Sequence, residues 1–272
     1  KGNAIWFEDA AERMGVDSMR WLYARHNPAA NLNFGYGTAD EVRRRFIIPL
    51  WNVYSFFVTY ANIDRYDPSA TAPLPQERAE LDRWILSELN STVAEVTTAL
   101  DAFEPDRATR SVEQFVEYLS NWYVRRSRRR FWKAGMLGPE GSGGDADKVG
   151  AYATLYECLV TIVKLMAPFT PFITESMYGN LVDSTGDGAE SVHLDSYPEA
   201  DRALIDTDLA EDTKLAMRLS SMGRAARSKA GIKVRQPLAK VLVKLRTDAE
   251  SERLDRIAPQ LKDELNVRLV DT

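Results

Sequence analysis

The sequence predicts a mainly α chain, an antiparallel bundle of four or five helices followed by a small α/β appendage. Apolar residues recur at three- and four-residue spacing through most of the 272 residues, and after Gly231 the pattern changes to short β-branched runs. Positive charge is also concentrated rather than spread. Residues 107–133 hold eight Lys/Arg against two acids, 214–246 hold ten against none, and the other 212 residues sum to −21 within a net charge of −5.

Residues 7–25 read as a short helix and 27–37 as a turn with a brief extended piece. Thr38 followed by Glu41 is a capping-box pattern, so a helix starts near 39 and carries Leu50, Val53/Tyr54, Phe57 and Ala61 on one face. Pro49 leaves the Arg45 carbonyl without its i+4 donor and is expected to bend this helix without ending it. Trp51, Tyr54 and Phe57 are expected in the core. Leu81, Ile85, Leu89, Val93, Val96, Leu100 and Phe103 mark one face of a helix over about 77–102. Pro105 then opens a helix that carries Val112, Phe115/Val116, Leu119 and Trp122/Tyr123 into the first basic block, with Gly135 as its stop. Residues 135–147, five glycines and a proline among acids, bury almost nothing and read as a mobile loop.

Tyr152, Leu155/Tyr156, Leu159, Ile162/Val163 and Met166 give a buried helix broken at Pro168, with Cys158 in its core. Thr170-Pro171 supplies a cap and first-turn proline for a short helix to about 181. A polar turn at 183–188 and Val192-His193-Leu194 lead to a final bundle helix over 207–230, with Leu215, Leu219, Met222 and Ala226 on one face. Beyond Gly231, Val241–Leu245 reads as a strand, 249–263 as a helix and Val267–Val270 as a second strand.

One cysteine excludes an internal disulfide and points to a cytoplasmic, reducing compartment; two histidines far apart argue against a zinc site. No uninterrupted apolar run approaches eighteen residues, so no membrane partner is expected. Neither histidine sits in a nucleophile pattern, and no phosphate-cradling glycine loop is present, so no catalytic residue and no cofactor are assigned. Two cationic blocks on an acidic body point instead to a polyanion held at chosen places, and nucleic acid is the leading partner class.

The run Ser120-Asn121-Trp122-Tyr123-Val124-Arg125-Arg126-Ser127-Arg128-Arg129-Arg130-Phe131-Trp132 pairs guanidinium groups with aromatics, as phosphate-holding and base-stacking surfaces do. At 100° per residue Arg125, Arg128 and Arg129 project away from the apolar stripe, joined by Trp132 and Lys133, whereas Arg126 and Arg130 continue it and are assigned with Trp122 to structural or interface roles. In the second block, Arg224 and Arg227 lie one turn apart opposite the apolar face; with Lys229, Lys233 and Arg235 they form the other set of phosphate candidates. The competing reading is a merely solvated face for Arg125, Arg128 and Arg129 and, for the second block, an ordinary helix face whose basic last turn complements the macrodipole.

These segments resemble isoleucyl-tRNA synthetase, a class I aminoacyl-tRNA synthetase. The resemblance is carried by Leu50-Trp51-Asn52-Val53-Tyr54-Ser55-Phe56-Phe57, the Arg-rich run at 120–132, Ala167-Pro168-Phe169-Thr170-Pro171-Phe172 and Ala230-Gly231-Ile232-Lys233-Val234-Arg235-Gln236-Pro237-Leu238. It implies a stem-contact region over 1–38, an anticodon-binding helical bundle over 39–231 and the start of an α/β junction domain over 232–272. Lys1-Gly2-Asn3 is similar to the residues just after the family's ATP-binding KMSKS loop, which implies a fragment without the active site, inactive alone, from a ligase that uses ATP and Mg. The partners implied are the isoleucine tRNA and the parent's catalytic domain, with the chain a monomer. The alternative is a non-catalytic helical scaffold that docks protein partners or that catalytic domain.

Overall fold

In the computed structural model, which describes residues 4–133, 145–182 and 188–272, the first predicted helix is divided at Gly15. Its φ of +81° is a conformation that side chains disfavour, and it separates α1 (Phe7–Met14) from α2 (Val16–Ala24). The third helix, α3, runs Tyr36–Asp64 and starts before the expected cap. The Thr38 hydroxyl donates to the carbonyls of Asn33 (2.9 Å) and Gly35 (3.2 Å) from inside the first turn. A π segment over Arg43–Ile47, with the Ile48 N–H donating to the Arg43 carbonyl, precedes Pro49, so α3 widens where the proline removes a donor and continues beyond it.

Helix α4 spans Glu80–Asp101. Phe103, expected on its apolar stripe, instead adopts a left-handed φ of +59° and is 89% exposed, while the Glu104 N–H reaches the Ala99 carbonyl at 2.8 Å. That bond closes a Schellman-type stop, which turns the chain into α5. Helix α5 begins at Pro105, runs Pro105–Tyr118, passes through a π segment over Leu119–Val124 and finishes Arg125–Trp132. It ends before Gly135, which lies outside the described residues, as does most of the glycine-rich segment read as a loop. The end of that segment is helical, since Asp145 accepts from the Asp147 and Lys148 N–H groups and starts α6 (Ala146–Met166). Helix α7 (Pro171–Val182) is capped differently from the expectation: Asp17 of α2 accepts from the Ile173 N–H at 2.6 Å, while Thr170 donates back to the Met166 carbonyl.

The chain forms two compact units, Lys1–Ile205 and Asp206–Thr272. In the first, α4 and α5 form a helical hairpin on which α6 packs, around Trp84, Ile85, Tyr123, Phe131, Tyr152 and Leu155, all nearly inaccessible. Trp21 stacks on Phe46 with ring centroids 4.2 Å apart, joining α2 to α3. Fully burying one such side chain contributes about 1.5–3 kcal/mol. Trp51, expected in the core, is 43% exposed, whereas Tyr54 and Phe57 are buried. By length and composition α3 and α6 could each cross a membrane, which the search for an uninterrupted apolar run missed because polar residues punctuate both; most of the apolar window of α6 is buried inside the protein.

Two buried charges tie this unit together. Asp82 is wholly buried and accepts from Arg130 through both oxygens (2.7 and 2.6 Å) and from the Tyr123 hydroxyl at 2.7 Å. Arg130 also reaches the Asp147 carbonyl at 2.7 Å and its carboxylate at 2.8 Å, so one guanidinium joins α4, α5 and α6. Lys148, equally buried, pairs with Asp64 at 2.7 Å and donates to the Lys133 carbonyl at 2.6 Å, closing the C-terminal end of α5 with a cation.

The second unit contains α8 (Thr207–Lys229), β1 (Leu238–Leu242), α9 (Asp248–Leu265) and β2 (Val267–Asp271). The strands pair in parallel, Leu238 opposite Val267 and Val241 opposite Val270, with α9 as the crossover. Pairing starts earlier than the expected 241 because the Asn266 side chain donates to the Val234 and Arg235 carbonyls and its own carbonyl accepts from the Leu238 N–H. Helix α8, read from sequence as part of the bundle, packs with α9: a Cβ on Gly223 would lie 2.6 Å from Leu265. Its inward face carries Leu215, Ala216 and Leu219, and Met222, assigned to that face, is 58% exposed.

Asp82→Asn leaves the Arg130 guanidinium without its buried counter-charge and is expected to destabilise the first unit by about 3–5 kcal/mol, read from denaturant unfolding. In the second unit, burial pushes the Asp212 carboxyl up, but hydrogen bonds from Arg256 and Arg253 outweigh it and hold the group below the ordinary carboxylate range. That stabilisation is complete above the unfolded aspartate pKa of about 4 and is lost as pH falls through the lower folded value. Unfolding midpoints of the native chain and Asp212→Asn should therefore converge on acidification below about pH 4; a gap that stays constant to low pH would contradict the pairing.

Candidate nucleic-acid interface

The cationic end of α5 is assembled by the packing just described. Past its π segment the helix turns Ser127 and Phe131 inward; both are buried. Arg126 and Arg130 flank that inward line and are half-buried, whereas Arg125, Arg128 and Arg129 are exposed, the division predicted from helical periodicity. Arg130 is committed to Asp82, and the Arg126 guanidinium lies over the Trp122 ring at 5.1 Å. Trp122 is itself buried.

On the outer face Arg125 donates through Nε to the Asn121 carbonyl at 2.9 Å and also covers Trp122, while Arg128 and Arg129 have no ion-pair partner among the described residues. Trp132 is 57% exposed, and its indole N–H donates to the Tyr60 hydroxyl at 2.8 Å, which fixes the ring beside the arginines. Lys133 is paired with Asp145 at 2.9 Å, and this hydrogen bond raises the ammonium pKa and lowers that of the carboxyl. An exposed pair of this kind exchanges readily with another anion. The arrangement offers guanidinium groups on a fixed helix and one aromatic face, which suits phosphate and base contacts rather than bond-making chemistry. Among the described residues no three His, Cys, Asp or Glu side chains converge as a metal site.

In the second unit the structure corrects part of the sequence reading. Arg227 is buried, and its Nη2 donates to the carbonyls of Lys233 (2.5 Å) and Gln236. Arg224 pairs with the buried Glu264 at 2.7 Å. Both were read as lying opposite the apolar face, but the close approach of Gly223 to Leu265 sets the inward line of α8, and the 232–237 segment folds back over Arg227. Lys229, Lys233 and Arg235 remain exposed and without an ion-pair partner among the described residues.

Sequence reading missed Asp82 and Lys148. Their signal was a charge in apolar register: Asp82 precedes Ile85, Leu86 and Leu89 at three, four and seven residues, and Lys148 precedes Tyr152 and Leu155 at four and seven.

A helical hairpin with a third helix docked on it, ending in a cationic and aromatic surface, is an all-helical arrangement suited to holding a polyanion. Comparison with known proteins makes this specific. Residues 82–243 match the family described as the anticodon-binding domain of tRNA ligase, and the chain belongs to that family. It is 52% identical over 98% of its length to the isoleucine–tRNA ligase of Dehalococcoides mccartyi strain CBDB1 and 45% identical over 99% to that of Thermus thermophilus. It spans 26% and 25% of those two proteins, about a quarter of their length. A crystal structure of a ternary LeuRS–tRNA–LeuAMS complex from Agrobacterium radiobacter K84 shares the fold, with a TM-score of 0.52 at 14% identity over 97% of this chain and 28% of that one.

Arg227→Ala is expected to act on stability rather than on ligand affinity, costing about 1.5–3 kcal/mol through the lost charged hydrogen bonds to two carbonyls. Hydrogen exchange at 232–237 checks this: protection there should fall while the first unit is unaffected.

Proposed function

We propose that this chain is the tRNA-binding part of an isoleucine–tRNA ligase, holding the isoleucine tRNA while ATP- and Mg-dependent aminoacylation takes place in the parent's catalytic domain. The observation that carries the reading is the division of one arginine run into two roles. Arg130 is locked inward by Asp82, and that fixes the helix from which Arg128 and Arg129 project beside Trp132 with no ion-pair partner among the described residues. Arg125, Lys133 and, in the second unit, Lys229, Lys233 and Arg235 add cations that can neutralise phosphates. Arg224 and Arg227 are left out of this set. Family membership and similarity to isoleucine–tRNA ligases support the reading, and a cytoplasmic location and a monomeric state are proposed with it.

The test is binding of isoleucine tRNA by the native chain and by Arg125→Ala/Arg128→Ala/Arg129→Ala across a salt series. Each lost phosphate contact should flatten the slope of log K against log salt by roughly 0.9 and weaken cognate and non-cognate tRNA alike. Unchanged affinity in a folded triple variant would favour the scaffold reading, in which the arginines dock protein.

A further inference from the structure

Between α2, α3 and α5 lies a polar cleft of about 570 Å³ that the phosphate-binding surface does not use. This volume falls within the range of small-ligand sites, about 300–1,000 Å³. Both π segments border it: Arg45 comes from the first, Ser120 and Asn121 from the second. A π turn inserts one residue into a helix and so resets which side chains face outward, here toward the same gap.

The lining is divided between committed and uncommitted groups. Arg25 is paired with Glu113 at 3.2 Å, Arg45 with Glu41 at 3.1 Å and Arg110 with Asp106 at 2.9 Å. Gln114 and Asn121 are both exposed, lie two helical turns apart, and their side-chain amides make no hydrogen bond among the described residues. The nearby Glu117 carboxylate is exposed and has no ion-pair partner among them either. Val42, almost wholly buried, and Pro49 supply an apolar wall.

The geometry points to this cleft as the seat of a single unstacked nucleobase from an RNA loop, with Gln114 and Asn121 reading its edge. A side-chain amide presents a donor and an acceptor together and matches a base edge bidentately, and Glu117 can accept from an exocyclic amino group. The base face would lie on Pro49, with the buried Val42 behind it. Flanking phosphates would meet Arg45 and Arg110 at the rim, whose exposed ion pairs cost little to exchange. A free anion fits less well, because Glu113 and Glu117 face the same space, and a wholly apolar ligand would leave the amides unpaired. Base readout in single-stranded RNA has this composition, polar edges plus a flat face.

The inference rests on the tRNA-binding reading above and deepens it from holding to discrimination. The experiment is equilibrium binding of the full 272-residue chain to an isoleucine tRNA transcript and to a non-cognate transcript, for the native protein and Gln114→Ala/Asn121→Ala. Cognate affinity should fall about 5- to 150-fold for a lost bidentate contact, with non-cognate affinity and the salt slope unchanged. Both residues are exposed, so the thermal melt of the variant should match the native one. A cognate-to-non-cognate ratio unchanged by the double substitution, with salt-dependent tRNA binding intact, overturns the base-reading site and leaves the cleft to a protein partner. Absence of salt-dependent tRNA binding in the native chain would instead remove the underlying reading, and this inference with it. As a second measurement, tRNA carrying 4-thiouridine in its loop should crosslink within 42–49 or 110–121; crosslinks confined elsewhere overturn the assignment.

Discussion

The carboxylate of Asp82 is the constraint on which the first unit depends. An ionised carboxylate in an apolar interior is tolerated only with its charge matched and its lone pairs occupied. Arg130 supplies both bonds of a bidentate pair and the Tyr123 hydroxyl supplies a third, so the rotation of α5 about its own axis is fixed to within hydrogen-bond tolerance. Burial and the neighbouring carboxylate together push the Tyr123 hydroxyl well above its ordinary pKa, so it remains a donor at any physiological pH. Such a pair adds less net stability than an apolar replacement could, but it specifies register, and register decides which arginines face solvent.

Lys148 applies the same logic at the end of that helix. Its ammonium meets Asp64 and the Lys133 carbonyl in a fully buried position, so the last turn of α5 ends on a cation supplied by α6. Helix C-termini carry partial negative charge, which a lysine offsets. Five arginines and a lysine crowd residues 125–133, and their mutual repulsion would fray an isolated helix. Here two of the arginines, Arg126 and Arg130, are turned toward the protein, and the helix end is held from outside.

The two π segments belong to this picture. In α3 the wide turn admits Pro49, and in α5 it carries the end of the apolar stripe, Leu119, Trp122 and Tyr123, into the arginine run. Each costs ordinary ladder geometry and changes the angular position of everything after it. A cleft bordered by both, lined by amides with no hydrogen bond among the described residues, is where that geometry would have a chemical use. Phosphate-holding groups on one surface and edge-reading groups in a recess would divide affinity from discrimination, as RNA recognition requires.

The sequence by itself determined the helices of the bundle, the change to α/β after residue 231, and the split of the first arginine run into inward and outward members. These follow from local periodicity, which depends only on spacing along one chain segment. It also carried, unread, the two buried charges, since Asp82 and Lys148 occupy apolar register positions. What periodicity could not supply was partners. That Asp82 meets Arg130 across 48 residues and that Asp17 rather than Thr170 caps α7 are decided by contacts between elements distant in sequence, and Arg227 turns inward because the chain just beyond its helix folds back over it. Met222 fell off its predicted face because the Gly223–Leu265 contact rotated its helix, whereas Phe103 did so locally, where a Schellman stop ended its helix. Local spacing fixes which face of a helix is apolar, but which neighbour arrives there, and at what rotation, is a property of the packed structure alone.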